Sequence, residues 1–344
     1  MELRKIQVTG GSTHVVSLPK KWIDRNGLGR SDTVAIHEEP DGSLLLIPRS
    51  DARSPTRAIT IDIPDEASTA EVVRRLVGAY IAGADEILVR TRSRMSPKVR
   101  QLIRDLTRDL VGVEVLEETA NTIVLQDLVG VAEMDLRKTL TRMQRLARLM
   151  FDDAIEALAQ RDSEQADHVT NRDDEVDRLL WMVSKQMHAL LEQPRLAAKL
   201  DVQPAGALNY YLVARSLERM ADHAAKISDN VRLLQGQTVP PEALASLAAQ
   251  ADVVRKVWDE SFSALKKGDF ASATRTADMG EAAADWRADF PHLLNKLPAE
   301  TVTAGSLLSR WGKSARQSAA ASPMSAVRVA LAKSPFLRAE KDSS

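Results

Sequence analysis

The pattern of apolar and polar positions divides the chain into three parts. From residue 131 onward the apolar residues recur in alternating steps of four and three, which is typical of an amphipathic helix in a bundle. The clearest run comprises Leu136, Leu140, Met143, Ala147, Met150, Ala154 and Leu158. Further helices are predicted near residues 164–191, 204–234, 242–267, 270–296 and 300–320. We therefore expect an all-α bundle of two three-helix repeats, over 131–236 and 240–322, with Pro240-Pro241 between them and a flexible tail at 323–344.

The first 128 residues show the period-two alternation of strands instead. Residues 1–50 contain four short apolar runs: two around Gly10-Gly11, and two around Asp41-Gly42, a favoured hairpin turn. A polar linker follows, and residues 56–128 have the order β-α-β-α-β-β, with Ser68 and Ser96 at the predicted helix starts. We expect a small α/β domain of structural role here, with a small-ligand site as the minority alternative.

Two predicted helices carry acidic pairs at a spacing that stacks the side chains on one face. Asp173 and Asp177 lie on the second helix, and Glu218 and Asp222 on the third. Asp173 interrupts an apolar stripe, a position that is costly for a carboxylate unless a cation meets it. The four residues are our predicted metal ligands, for a divalent or ferric ion. The alternative is that Lys226, Arg215 and Arg172 pair with these carboxylates at a solvated surface.

These motifs also resemble a known family. The run Leu217-Glu-Arg-Met-Ala-Asp-His-Ala224, following Asp173-xxx-Asp177, is similar to the PhoU family of phosphate-uptake regulators. The resemblance covers roughly residues 131–320. It implies two three-helix repeats, multinuclear metal clusters on E/D-x-x-x-D motifs, and negative regulation of phosphate uptake.

The second repeat departs from that family pattern. Glu281 and Asp285 keep the acidic spacing, but Ser309 and Lys313 stand where Glu218 and Asp222 stand in the first repeat. Because a lysine repels a cation, we expect at most one metal centre per chain.

Composition narrows the functional classes. The chain has no cysteine, which excludes disulfides, thiolate catalysis and zinc fingers. A formal net charge of −1 over 344 residues gives no global attraction to nucleic acid or membrane, so any such attraction is local. With no membrane-length apolar run and no signal-peptide core, we expect a cytoplasmic protein.

A local excess of positive charge lies at the N-terminus. Residues 1–30 hold six basic side chains against two acidic ones. The segment from Val8 to Val34 resembles the SpoVT-AbrB family, whose domains intertwine two chains into a swapped-hairpin β-barrel, and many of which bind DNA. We expect a homodimer, because fifty residues bury little core alone. The candidate DNA-binding residues are Arg4, Lys5, Thr13, His14, Lys20, Lys21 and Arg25.

The functional hypotheses differ in class. The first is a DNA-binding regulator of phosphate homeostasis. The second is an adaptor that docks on a phosphate transporter or sensor kinase without binding DNA. The third, a carboxylate-metal enzyme, is disfavoured because helical di-iron sites use Glu-x-x-His pairs, and the sequence contains none. No Ser-His-Asp set or nucleotide loop is evident either, so we expect no enzymatic activity.

Overall fold

The computed structural model describes residues 2–38, 42–48, 57–192, 196, 202, 204–236, 239–267 and 269–284. The chain divides into two compact units, 1–56 and 57–344, and each is described by itself.

The first unit consists of two hairpins and one short helix. Strand β1 (Gln7–Thr9) pairs with β2 (Thr13–Val15), and β3 (Val34–Glu38) pairs with β4 (Leu44–Pro48), both antiparallel. Helix α1 (Lys20–Arg25) lies between the hairpins in sequence. Gly10 and Gly11 adopt positive φ in the first turn, which explains why glycine occupies both positions. Pro19, which cannot donate to a strand ladder, directly precedes α1.

The second unit begins with a four-stranded sheet in the order β5-β6-β8-β7. The strands are β5 (Ala58–Ile63), β6 (Glu86–Thr91), β7 (Val113–Glu118) and β8 (Thr122–Asp127). Only the β5–β6 pair is parallel. Helices α2 (Thr69–Ile81) and α3 (Pro97–Asp109) contact each other as well as strands, so they pack on one face. The predicted β-α-β-α-β-β order is confirmed.

Both helix starts in this α/β domain are capped as predicted. The Ser68 hydroxyl accepts from the Glu71 backbone N–H at 3.2 Å, and the Ser96 hydroxyl accepts from Val99 at 3.3 Å. Pro97 occupies the first turn of α3, where a missing N–H costs nothing. The core beneath the helices includes fully buried Leu76, Tyr80, Ile103, Ile123 and Leu125.

The remainder is helical. Helix α4 (Leu136–Gln160), α5 (Ser163–Glu192) and α6 (Pro204–Leu233) contact one another pairwise, as the predicted first repeat requires. Arg232 near the end of α6 pairs with Asp167 near the start of α5, so these two helices run antiparallel. Helices α7 (Pro241–Lys267) and α8 (Phe270–Ala284) follow, and Trp258 of α7 is buried in the same core. The predicted helix at 300–320 and the tail lie outside the described residues.

The α/β domain packs against α5. Trp181 of α5 lies on the α/β core, and Arg178 donates to the Asp109 carbonyl at 3.1 Å. Lys185 of α5 pairs with Asp127 at the end of β8, and both side chains are more than nine-tenths buried. Helix α5 therefore has two occupied faces: one toward α4 and α6, the other toward the α/β domain.

Candidate metal centre

The antiparallel packing of α5 and α6 brings the two acidic pairs together. Asp173 and Asp177 are one turn apart on α5, and Glu218 and Asp222 are one turn apart on α6. Burial is the largest cause of the raised pKa of Asp173, and the negative charges of Asp177, Asp222 and Glu218 raise it further. Glu218 and Asp222 also raise the pKa of Asp177, and Asp222 raises that of Glu218, so all four carboxylates lie within electrostatic range of one another. We call these four residues the carboxylate cluster.

Burial makes the cluster electrostatically unfavourable. Desolvation is the largest cause of the raised pKa of Asp173, to about 7, and of Asp177, to about 6. The pKa of Glu218 is also raised, first by burial and then by Asp222. A positive charge beside these buried acids would favour their ionised forms.

Asp173 is the most exceptional member. Its Oδ1 is buried and has no hydrogen-bond partner among the described residues, whereas buried polar atoms in proteins are nearly always bonded. The predicted alternative for this residue is wrong: Arg172 pairs with Asp153 on α4, not with its neighbour Asp173. An unpartnered carboxylate oxygen inside a helical bundle fits a hard cation, which prefers oxygen ligands.

Two members of the cluster, Asp222 and Glu218, have basic side chains nearby on α6. Asp222 pairs with Lys226 one turn on, as the alternative interpretation predicted. Arg215 lowers the pKa of Glu218 through its charge, although no direct ion pair joins them in the described part of the chain. Glu175 points away and pairs with Arg142. Among the described residues, basic side chains therefore act on Asp222 and Glu218, whereas none is bonded to Asp173 or Asp177.

The cluster is open rather than closed. Within the described ranges, no three or more histidine, aspartate or glutamate side chains converge tightly enough to hold a metal ion. The donor chemistry and the orphaned Asp173 oxygen nevertheless fit a cation.

His223 is the buried polar residue beside the cluster. It is 6% exposed, and neither ring nitrogen has a hydrogen-bond partner among the described residues. Burial is the main cause of its lowered pKa, so the ring is held neutral. As the residue next to Asp222, His223 faces a different side of α6.

The acidic pair predicted in the second repeat cannot be placed. Glu281 falls on α8, with its side chain outside the described part, and Asp285, Ser309 and Lys313 lie outside the described residues altogether. The expectation of a single metal centre therefore stays a prediction.

The predicted DNA-binding residues are all exposed: Arg4, Lys5, Thr13, His14, Lys20, Lys21 and Arg25. They lie on the β1–β2 hairpin, its flanks and α1. Arg4 binds Glu2 at 2.6 Å and contacts the Ser17 hydroxyl at 3.4 Å. Among the described side chains of residues 2–48 none is buried, and Leu3, Ile6, Ile36 and Leu44 are each more than three-fifths exposed.

The sequence interpretation missed the contacts of α5 with the α/β domain. Lys185 and Asp127 form a buried ion pair, and the Lys185 ammonium also lies 4.5 Å from the centre of the Tyr80 ring. The sequence did contain an indication of this second contact. Trp181 and Lys185 lie one turn apart on α5, away from the apolar stripe that packs against the other helices.

Comparisons with known proteins agree with the two resemblances. The PhoU domain family matches residues 140–231, and the family described as antidote-toxin recognition MazE, bacterial antitoxin, matches residues 7–54. Three similar curated proteins are each named phosphate-specific transport system accessory protein PhoU homolog. The one from Deinococcus radiodurans is 35% identical over 28% of this chain and 44% of its own length.

The other two relatives are more distant. The Clostridium acetobutylicum protein is 24% identical over 36% of this chain and 51% of its own length, and the Pseudomonas putida protein is 25% identical over 56% and 77%. The chain thus spans about half the length of the first two relatives. The crystal structure of PhoU from Pseudomonas aeruginosa aligns with a TM-score of 0.45 at 20% identity, covering 58% of this chain and 95% of that one.

The family matches confirm the predicted fold class: an N-terminal swapped-hairpin type of domain and a C-terminal PhoU-type helical region, joined by the α/β domain. None of the described helices is both long enough and apolar enough to cross a membrane. Residues 140–231, within the first helical repeat, therefore match the PhoU domain family, and residues 7–54 at the N-terminus match the MazE family.

Proposed function

We propose that this protein is a dimeric, cytoplasmic regulator of phosphate uptake that binds DNA through residues 2–48 and a metal ion at the carboxylate cluster. The PhoU domain and the names of the relatives support the phosphate part. The exposed basic residues of the N-terminal unit support the DNA part. The lack of any buried side chain among the described residues of that unit is the observation that carries the proposed dimer, which doubles the basic face.

A unit of two separate hairpins with exposed leucines and isoleucines has too little core to be stable by itself. A second copy supplies the missing core by covering those apolar residues. Two-fold symmetry also doubles the basic face of the hairpin and α1. That face then neutralises several phosphates, the main source of DNA affinity.

The DNA part is tested by an electrophoretic shift assay with salt titration on the full-length protein. Because each neutralised phosphate releases counterions, we expect affinity to fall steeply between 50 and 200 mM salt, by about tenfold or more. Lys20→Glu with Lys21→Glu abolishes the shift. Lys266→Glu with Lys267→Glu, two exposed lysines at the end of α7, is the matched control and leaves it intact. Equal binding by both double variants, or binding insensitive to salt, contradicts DNA binding.

The phosphate part is tested in cells. A strain that lacks the protein should take up phosphate in excess when phosphate is abundant, and unchanged uptake contradicts the proposal. The second candidate is the adaptor, favoured by the relatives' description as transport accessory proteins. If the protein is an adaptor, the Lys20→Glu, Lys21→Glu variant expressed in the strain that lacks the protein restores normal phosphate uptake. If the protein acts by binding DNA, the same variant does not restore it. Dimerisation is measured by sedimentation equilibrium: a monomer at micromolar concentration contradicts it.

We propose no catalytic role for the carboxylate cluster. Turnover in an oxygen-consumption assay with the metal-loaded protein would favour the carboxylate-metal enzyme instead.

A further inference from the structure

The α/β domain has a cavity that the proposed function does not use. It measures about 710 Å³ and lies between the start of α3 and the turn that joins β7 to β8. Its walls include Met95, whose side chain is buried, and the backbone of Thr119 and Ala120. The cavity is open to solvent along much of its surface, so a ligand bound there remains partly exposed.

The charged groups of this cavity are unbalanced. Arg94, Arg100 and Arg104 line it together with a single carboxylate, Glu118. Arg100 and Arg104 both bind Glu118, the latter at 2.6 Å, and together they hold the pKa of Glu118 below its usual value. Within the described residues no carboxylate is bonded to Arg94. The lining therefore carries an excess of about two positive charges at neutral pH.

The arginines are held in place. Arg100 also donates to the carbonyls of Thr119 and Ala120, at 2.9 and 3.1 Å, so its guanidinium bridges α3 and the β7–β8 turn. The backbone N–H of Met95, just before α3, donates to the Ala120 carbonyl at 2.9 Å and so adds a second link to the β7–β8 turn. Such contacts pre-organise the cavity, which lowers the entropy lost when a ligand binds.

This concentration of charge is local. Residues 87–104 contain six basic side chains and no acidic one, whereas residues 57–128 as a whole contain ten basic and twelve acidic residues. Of the six, Arg90 is neutralised by Asp62 on the neighbouring strand β5. Three of the other five, Arg94, Arg100 and Arg104, line the cavity.

We propose that this cavity binds a small phosphorylated metabolite, with its phosphate group on Arg94 and Arg104. The planar guanidinium fork matches phosphate oxygens and forms charge-assisted hydrogen bonds with them. A phosphate group alone fills a small part of the cavity, so the remaining volume beside Met95 takes the organic portion. Glu118 acts as the resident counterion that keeps Arg100 and Arg104 in position when no ligand is bound.

The experiment is isothermal titration of the full-length protein at low salt in the presence of EDTA. The probes are inorganic pyrophosphate and ADP, with adenosine and citrate as comparisons. We expect saturable binding of pyrophosphate or ADP, about tenfold or more tighter than that of adenosine and of citrate. No saturation by either phosphate probe at about 10 mM, a concentration well above the ~1 mM expected of a weak site, or equal affinity for adenosine or citrate, overturns the proposal. Asp173→Asn should leave the binding unchanged, which separates it from the carboxylate cluster.

Variants locate the site. Arg94→Ala and Arg104→Ala should each weaken ADP or pyrophosphate binding by about tenfold. The matched control is Arg108→Ala, one turn further along α3, where the arginine pairs with Asp105 and lies outside the cavity. Glu118→Gln should tighten binding severalfold, because it removes the competing anion. Melting temperatures verify that each variant is folded. Arg94→Ala indistinguishable from Arg108→Ala overturns the assignment.

Discussion

Two groups of buried charge on α5 have opposite surroundings. On the face toward the α/β domain, Asp127 is bonded to Lys185, and a backbone N–H of Val129 also points at the Asp127 carboxylate. On the face toward α6, Asp173 has an oxygen with no partner among the described residues, and the negative charges of four further carboxylates raise its pKa. Desolvation is the largest cause of a raised pKa in both places, so the contrast lies in what the protein supplies against it.

The comparison indicates what is missing at the carboxylate cluster. Lys185 lowers the pKa of Asp127 and so offsets part of its burial, whereas Asp177, Asp222 and Glu218 add to the burial of Asp173. A cation from solution would do for Asp173 and Asp177 what Lys185 does for Asp127. The following experiments test that equivalence, beginning with the largest expected effect.

Replacing Lys185 by methionine should lower the free energy of unfolding by about 3–5 kcal/mol, because it leaves Asp127 buried without its cation. Chemical denaturation measures the change. The double variant Lys185→Met with Asp127→Asn should recover most of the loss, since no uncompensated charge remains. A loss of stability below about 1 kcal/mol would show that Lys185 does not offset the burial of Asp127.

Replacing Asp173 by asparagine should instead stabilise the metal-free protein. In EDTA at pH 8 we expect the free energy of unfolding to rise by about 1–3 kcal/mol, since the variant removes an unpaired, repelled charge from the bundle. The matched control is Asp222→Asn, whose carboxylate is paired with Lys226 and 40% exposed, and which should change little. Destabilisation by Asp173→Asn would mean that the orphaned oxygen has a favourable partner after all.

The pH dependence follows from the same residue. In the folded protein the pKa of Asp173 is about 7, against about 3.9 when the chain is unfolded, so the folded state binds more protons between these values. The metal-free protein should therefore lose stability as the pH rises from about 4 to about 7.

Between pH 5 and 7 the wild type should lose about 1–2 kcal/mol more than Asp173→Asn does. Denaturation curves in EDTA at several pH values measure this difference. Parallel stability profiles for the two proteins would contradict the raised pKa.

The smallest effect is expected for Lys226→Met. The pair of Lys226 and Asp222 is roughly half exposed, so its loss should cost no more than about 0.5 kcal/mol in thermal or chemical denaturation. A cost above about 1 kcal/mol would place Lys226 in the cluster as its internal cation, and the contrast with Lys185 would disappear.

Much of this arrangement could be predicted from local sequence patterns. The three-four spacing of apolar residues predicted the helices of the first repeat, Ser68 and Ser96 indicated the helix starts, and the i, i+4 spacing put Asp173 and Asp177 on one face. These features depend on residues that are close in the chain. The partners of charged side chains could not be predicted in the same way. Arg172 reaches Asp153 on another helix, and Lys185 reaches Asp127, 58 residues away.

The arginine cavity was missed for a related reason. The basic run from Arg90 to Arg104 is typical of a solvated surface, because nothing local shows that the β7–β8 turn returns to face the start of α3. The resemblance to known families identified the outer two domains, and the α/β domain between them carried no comparable motif.

Metal content tests the central claim most directly. Protein purified without a metal-binding tag is stripped of metal with EDTA and then dialysed against Mn²⁺ or Fe³⁺. After free metal has been removed, the bound metal is measured by inductively coupled plasma mass spectrometry, in the wild type and in the double variant Asp173→Asn, Asp177→Asn. The account predicts at least about one tightly held ion per chain in the wild type and its loss in the variant. A wild type that retains no metal, or a variant that retains as much, would contradict it.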